Sequence, residues 1–317
     1  MLNNSVKVAF IGAGNMGSEH VKAFSDLPRV KLTSIYSRTK KRAESLVFRF
    51  NMSNTCGSIK ELYDNTKADL VVISVPELSV KEVCFEAFKY DWSCLIEKPA
   101  GYNLEDAESI HLEAKRLNRK VYVAFNRRQY SSTKVALEDL AKNSGHRLIH
   151  VLDQEDIITA RNSGQPELVL SNWMFANSIH LIDYFRVFGR GEIVAVEPVI
   201  KWNPDDPSFL VSKISFSSGD IGIYEAIWNA PGPWTVTITT KEKRWELRPL
   251  EKASFQLYGI RHLESTPAHD WDINFKPGLR SQAEEAVKAI TGRRHTLPTI
   301  EDALESMRLV NTIYFGI

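Results

Sequence analysis

The stretch Val6-Lys7-Val8-Ala9-Phe10-Ile11-Gly12-Ala13-Gly14-Asn15-Met16-Gly17 decides how the rest of the chain is read. Its first half is a short, mostly apolar, β-branched run that stops abruptly at Gly12, as a buried parallel strand does. Three glycines then follow in G-x-G-x-x-G spacing, where a strand gives way to a helix-compatible segment, Asn15 to Ser25. In that setting the first glycine makes the tight turn and the second lets backbone approach a pyrophosphate. The third lets helix and strand pack closely. Unpaired N–H groups at the helix start, at the positive end of its dipole, suit phosphate oxygens. A glycine-rich turn without a ligand is the bland alternative. The flanking strand and helix favour a dinucleotide site built on Gly12, Gly14, Asn15, Met16 and Gly17.

Outward from this turn the alternation continues. Strands are expected at Val30–Tyr36, Asp69–Val75, Ser93–Ile96 and Val121–Phe125, with helices at Arg42–Phe50, Val80–Tyr90 and Asn103–Leu117 between them. Such alternation implies right-handed βαβ units, hence an α/β, Rossmann doubly wound parallel sheet. After Arg127 the rhythm changes. A helix near Ser132–Lys142 is followed by strand-like runs at Leu148–Ile158, Ile193–Ile200, Ser208–Phe216, Ile221–Trp228, Trp234–Thr240 and Arg244–Leu247, separated by turn residues. These predict a C-terminal α+β domain with a mainly antiparallel open sheet. Helices at Leu279–Thr291 and Ile300–Phe315 close the chain. The expected division is a dinucleotide-binding domain over 1–125 and a substrate-binding and oligomerisation domain over 126–317, the last helix (about 300–315) being a candidate to pack back on the first.

Composition limits the function classes. The 317 residues are 43% hydrophobic and 25% charged, the balance of an ordinary globular protein, and one core seldom fills a chain beyond about 250–300 residues. Lys plus Arg number 40 against 39 Asp plus Glu, a net charge of +1, so no overall field favours nucleic acid. The three cysteines, Cys56, Cys84 and Cys94, are odd in number and lack CxxC spacing, against a disulfide framework and a structural zinc site. They read as reduced thiols. With no basic-then-apolar leader and no run approaching about 18 apolar residues, a cytoplasmic protein without membrane association is expected.

The second strand candidate ends Ile35-Tyr36-Ser37-Arg38-Thr39-Lys40-Lys41-Arg42, without a carboxylate. An NAD site uses an acidic residue there to hold the adenine ribose, whereas an NADP site must receive a 2′-phosphate. Ser37 can donate to that phosphate, Arg38 can make paired contacts or stack on adenine, and Lys41 or Arg42 can add charge. NADP is therefore the expected cofactor, with NAD the other option.

Further on, Leu70 to Pro76 ends in Ser74-Val75-Pro76, and Cys94-Leu95-Ile96 runs into Glu97-Lys98-Pro99-Ala100-Gly101. With these motifs, a His-bearing helix and Lys276-Pro277-Gly278, the sequence resembles the glucose–fructose oxidoreductase, inositol dehydrogenase and MocA family over nearly its whole length. The resemblance implies that Glu-Lys-Pro follows the fifth strand and sets its lysine beside the nicotinamide, touching the substrate hydroxyl or carbonyl. Lys98 inherits the role of proton donor and acceptor, Glu97 helps position it, and Ser74, Val75 and Pro76 abut the cofactor. The role suits a lysine, since partial desolvation favours the neutral amine.

The second element is Ser171-Asn172-Trp173-Met174-Phe175-Ala176-Asn177-Ser178-Ile179-His180-Leu181-Ile182-Asp183-Tyr184. In the family an Asp usually stands four residues before a His, one turn away on the same helix face. His180 matches the histidine and is expected to bind the reacting oxygen and assist proton transfer. The aspartate's place is taken by Ala176, with Asn177 next to it as a neutral group for substrate hydroxyls. Arg127, after the sixth strand, is the choice for an anionic substrate group, an interdomain structural salt bridge being the competing role. His146 and His150 lack a third ligand, so no metal is expected. Trp202, Trp228 and Trp234 read as packing of the second sheet, whose exposed face is a candidate homodimer or homotetramer interface.

These readings combine into an expected NADP-dependent oxidoreductase acting on a hydroxyl or carbonyl carbon of a sugar, cyclitol or nucleotide-sugar held between the domains. The rival is a cofactor-binding regulator that has lost turnover, kept alive by Ala176.

Overall fold

The computed structural model describes residues 5–316. Its contacts divide the chain into two units. The first runs to Asn126 and resumes over Trp271–Leu304; the second comprises Arg127–Asp270 and the chain from Glu305 onward.

In the first unit β1 (Val6–Ile11), α1 (Asn15–Ser25), β2 (Val30–Tyr36), α2 (Lys40–Phe50), β3 (Asn54–Cys56), α3 (Ile59–Thr66), β4 (Leu70–Ile73), α4 (Val80–Ala87), β5 (Ser93–Glu97), α5 (Leu104–Arg116) and β6 (Val121–Ala124) follow one another. The strands form one six-stranded parallel sheet in the order β3-β2-β1-β4-β5-β6. The order reverses beside β1, and in such sheets ligands bind at that switch point, outside the carboxyl ends of the strands. Strand β3 and helix α3 were not foreseen. β3 spans 3 residues, too few for a periodicity to register, although Ser58 caps α3 by accepting from the Glu61 backbone N–H at 3.0 Å.

The second unit contains α6 (Ser131–Leu140), β7 (Leu148–Glu155), α7 (Ile157–Asn162), α8 (Glu167–Leu170), a π-helical turn at Met174–Ser178, α9 (Ile179–Phe188), β8 (Ile193–Ile200), β9 (Phe209–Phe216), β10 (Ile221–Trp228), β11 (Thr235–Thr239), β12 (Lys243–Leu247), β13 (Ala253–Leu257) and β14 (Glu264–Thr266). They make an eight-stranded open sheet, β14-β13-β12-β11-β7-β10-β9-β8, antiparallel except for β7 with β10. Burial alternates strictly along β7, β9 and β10, so one face is packed and the other open. β7 ends three residues before the expected Ile158, because Asp156 accepts from the Thr159 N–H at 2.8 Å and starts α7.

Three further helices complete the chain: α10 (Asp270–Asn274), α11 (Leu279–Ile290) and α12 (Ile300–Phe315). The expected division at residue 125 made the last helix the candidate to return; instead Trp271–Leu304, with α10, α11 and only the first residues of α12, groups with the first unit, and the rest of α12 groups with the second. The reason is apolar. Leu279, Ala283, Ala286 and Val287 of α11 share one core with Val8, Val21 and Phe24. The Val123 N–H also donates to the Pro298 carbonyl at 3.0 Å. Among the described residues no helix is long and apolar enough to cross a membrane.

Candidate active site

In the first unit the carboxyl ends of β1, β2, β4 and β5 surround a cleft of about 540 Å³. Gly12, Gly14, Asn15 and Met16 line it, and Gly12 donates its N–H to the Tyr36 carbonyl at 2.8 Å, holding the loop against β2. The three glycines have separable jobs. Gly12 has φ +103, and a β-carbon there would stand 1.9 Å from the Ser74 carbonyl oxygen. At Gly17 it would stand 2.4 Å from the Gly12 oxygen, where α1 crosses β1. At Gly14 it would meet nothing within 4 Å. Gly14 is thus not required by the protein's own packing, and the space it leaves opens on the first turn of α1, which has no side-chain cap and no acidic residue. The loop fits a bound pyrophosphate.

Ser37, Arg38, Thr39 and Arg42 line the same cleft. The Ser37 hydroxyl accepts the Thr39 N–H at 3.2 Å, which leaves its own proton to donate. Of the two residues expected to add charge, Arg42 lines the cleft and Lys41 does not. Ser74, Val75 and Pro76 form the next wall, and Glu77, Glu82 and Glu86 lie beyond them. Glu86 is held below the usual carboxylate range by its hydrogen bond from Lys89.

Glu97, the last residue of β5, and Lys98 close the floor. Lys98 is joined to Pro99 by a cis peptide. Glu97 is buried, and its Oε1 lies 2.6 Å from Nε2 of His20 on α1. His20 was absent from the sequence reading. The signal was a polar residue on the buried stripe of α1, among Gly17, Val21 and Phe24.

In the second unit His180 is buried in the first turn of α9, directly after the π-helical turn that contains Ala176 and Asn177. That turn alters the spacing on which a four-residue Asp–His pair depends, and such π segments recur at functional sites. Asn177 does not stand alone as a substrate group: its Nδ2 donates to Glu155 Oε2 at 2.8 Å. Trp173 Nε1 donates to the same oxygen at 2.7 Å, and the Ser178 hydroxyl bonds Oε1 at 3.1 Å. Glu155 is 1% exposed, and burial together with neighbouring Asp153 pushes its carboxyl well above the ordinary range. Asp153 is raised too, chiefly by burial, and accepts from Tyr224 at 2.7 Å. With Asn177, Trp173, Trp234 and α7, Glu155 lines a cavity of about 370 Å³. This carboxyl-centred cluster was also missed, although Ile149, Val151, Asp153 and Glu155 alternate onto the packed face of β7.

The two arginines after β6 part company. Arg128 grips Asp183 with two hydrogen bonds of 2.6 Å, and Asp183 also accepts from Ser306 at 2.7 Å. Arg127 instead lies over the Trp234 ring at 4.3 Å. Trp202 and Trp228 pack ring to ring at 4.6 Å. His150 faces outward on β7, 3.2 Å from Glu225.

Strand order, glycine turn and cleft define the first unit as a Rossmann fold of the NAD(P)-binding type. Residues 6–125 match the model of the oxidoreductase family with an NAD-binding Rossmann fold that takes in glucose–fructose oxidoreductase, inositol dehydrogenase and MocA. The chain is 25% identical over 199 residues to inositol 2-dehydrogenase 1 of Paenarthrobacter aurescens, covering 62% of this chain and 58% of that one. It is 29% identical over 125 residues to glucose-6-phosphate 3-dehydrogenase of Bacillus subtilis, covering 39% and 35%. The chain therefore spans less than two thirds of the length of these relatives. A solved structure of UDP-N-acetylglucosamine 3-dehydrogenase from Acidithiobacillus ferrooxidans superposes with a TM-score of 0.77 at 16% identity, over 100% of this chain and 98% of that one. Over residues 6–125 the chain is similar to the glucose–fructose oxidoreductase, inositol dehydrogenase and MocA family.

Proposed function

We propose that the protein is an NADP(H)-dependent oxidoreductase that moves a hydride between C4 of the nicotinamide and a hydroxyl- or carbonyl-bearing carbon of a sugar, cyclitol or nucleotide-linked sugar. The observation that carries this reading is one cleft in which an uncapped glycine turn, a carboxylate-free basic edge after β2 and Lys98 line a continuous surface. The dinucleotide supplies the two-electron acceptor or donor. The chain's own residues supply the rest. Gly14 and the first turn of α1 receive phosphates, Ser37, Arg38 and Arg42 receive the extra charge of a 2′-phosphate, and Pro76 bounds the nicotinamide end. When the alcohol is oxidised its carbon loses a hydride and its oxygen a proton. Lys98 Nζ accepts that proton as a neutral amine and returns it in the reverse direction. His180 hydrogen-bonds the reacting oxygen. Arg127 and Asn177 contact substrate, Asn177 from the Glu155 cluster.

The open face of the eight-stranded sheet, where Phe209 and Ile221 are exposed, supports assembly into a homodimer or homotetramer. The three buried, unbridged thiols support residence in the cytoplasm. Titration with NADPH and NADH, followed by a turnover screen against sugars and cyclitols, tests the reading. Tighter NADPH binding and turnover are expected; preference for NADH would remove the role of Ser37 and Arg38. A second reading, a cofactor-binding regulator without turnover, is favoured by one feature, buried and apolar Ala176 at the position where the family resemblance implies an aspartate. Cofactor binding without turnover on any substrate would establish it.

A further inference from the structure

His20 has no exposed surface and sits on the face of α1 that is otherwise built from Gly17, Val21, Ala23 and Phe24. Its Nε2 lies 2.6 Å from Glu97 Oε1, and its Nδ1 has no hydrogen-bond partner among the described residues. Burying an imidazole with one nitrogen unsatisfied costs free energy that a leucine packed on the same stripe would not. Packing alone therefore does not account for a histidine here. What it does provide is a directed bond. A carboxylate only accepts, so His20 donates, and the acceptor is the residue immediately before Lys98, at the end of β5.

The two ends of this bond belong to different parts of the cleft. α1 starts at Gly14 and Asn15, where phosphates are received; β5 ends at Glu97, where the turn carrying Lys98 begins. We propose that His20 is a positioning residue: by donating to Glu97 it fixes the carboxylate, and through it the Lys98 turn, so that occupancy of the glycine loop is transmitted to the proton-transfer residue. This rests on the reading of Lys98 given above. It predicts a division of labour in which cofactor affinity is set by the loop and turnover by the bond beneath it. Displacing a reacting group by about 1 Å lowers rates by about a hundredfold.

The test compares full-length wild type with His20→Leu, which keeps the packing and removes the donor, and His20→Gln, whose amide restores one. If the leucine variant does not fold, His20→Ala takes its place. Expected for the donor-less variant are an NADPH dissociation constant within about threefold of wild type, an unchanged KM and a kcat lowered by about tenfold to a hundredfold. His20→Gln should recover most of that loss. A second readout needs no turnover. Lysines are reductively methylated with ¹³C, the Lys98 signal is assigned by its absence in Lys98→Arg, and NADPH is added. The Lys98 resonance should shift on NADPH binding in wild type and His20→Gln, and fail to shift in the donor-less variant. An unchanged kcat, or an identical NADPH-induced shift in all three proteins, would overturn the inference. Because the NMR arm is independent of activity, a wild type without turnover counts against the oxidoreductase reading while the resonance still decides the role of His20.

Discussion

The carbonyl of Ser74 occupies the space that a side chain at Gly12 would need: a β-carbon there would stand 1.9 Å from the oxygen. The backbone is also at φ +103, in the region that favours glycine. Gly12→Ala and Gly17→Ala should therefore each lose roughly 2–4 kcal/mol of stability. Gly14→Ala, with open space around it, should change stability by less than about 0.5 kcal/mol yet weaken NADPH at least about tenfold by intruding on the pyrophosphate. Urea unfolding and fluorescence titration of the three variants measure the two effects separately.

Arg38 is exposed and lines the cleft, where the proposed site would receive the 2′-phosphate of NADP. Removing a charge-assisted phosphate contact costs about 1.5–3 kcal/mol. Arg38→Ala should therefore weaken NADPH by about ten- to a hundredfold and NADH by no more than about threefold. Equal losses for the two dinucleotides would instead assign Arg38 to adenine stacking.

Glu155 supplies a pH prediction with a definite sign. Burial and Asp153 raise its carboxyl in the folded chain, while the unfolded chain titrates near the ordinary value, about 4.3. Between those values the native state binds more protons than the unfolded one, so this group's contribution to stability falls as pH rises. Glutamine cannot ionise. Going from about pH 5 to about pH 9, the melting temperature of Glu155→Gln should rise relative to wild type. Thermal melts across that range would show parallel curves if Glu155 titrated normally.

Arg128 and Arg127 should respond differently to truncation. Arg128→Ala leaves Asp183 buried without its bidentate partner and should cost roughly 3–5 kcal/mol. Arg127→Ala removes a cation–π contact worth about 0.5–2 kcal/mol, with its larger effect on KM for substrate. Denaturant midpoints and kinetics of the two variants make the comparison.

Much of this architecture was legible where local and global signals coincide. The β1–glycine–α1 turn combines an apolar strand, three glycines and a helix start, and α12 falls at its expected bounds because its apolar spacing is unbroken. Elements held mainly by their neighbours were not. β3 and β14 are each 3 residues long, and β13 depends on pairing with β12. The return of Trp271–Leu304 to the first unit is a tertiary choice: α11 has an apolar face, and nothing local says which core it joins. The same holds for the site. Lys98 and His180 stand in motifs, whereas His20 and Glu155 announce themselves only as polar residues on inward faces. That pattern is visible in a sequence once the faces are known.

In the proposed reaction Lys98 moves the proton that accompanies hydride transfer. Single turnovers of wild type and Lys98→Ala, followed by NADPH absorbance with a substrate found in the sugar and cyclitol screen, measure that role. NADPH should bind the variant within about threefold of wild type, while the rate of hydride transfer falls by about 10²–10⁴-fold. Turnover in Lys98→Ala at the wild-type rate would take Lys98 out of the proton transfer.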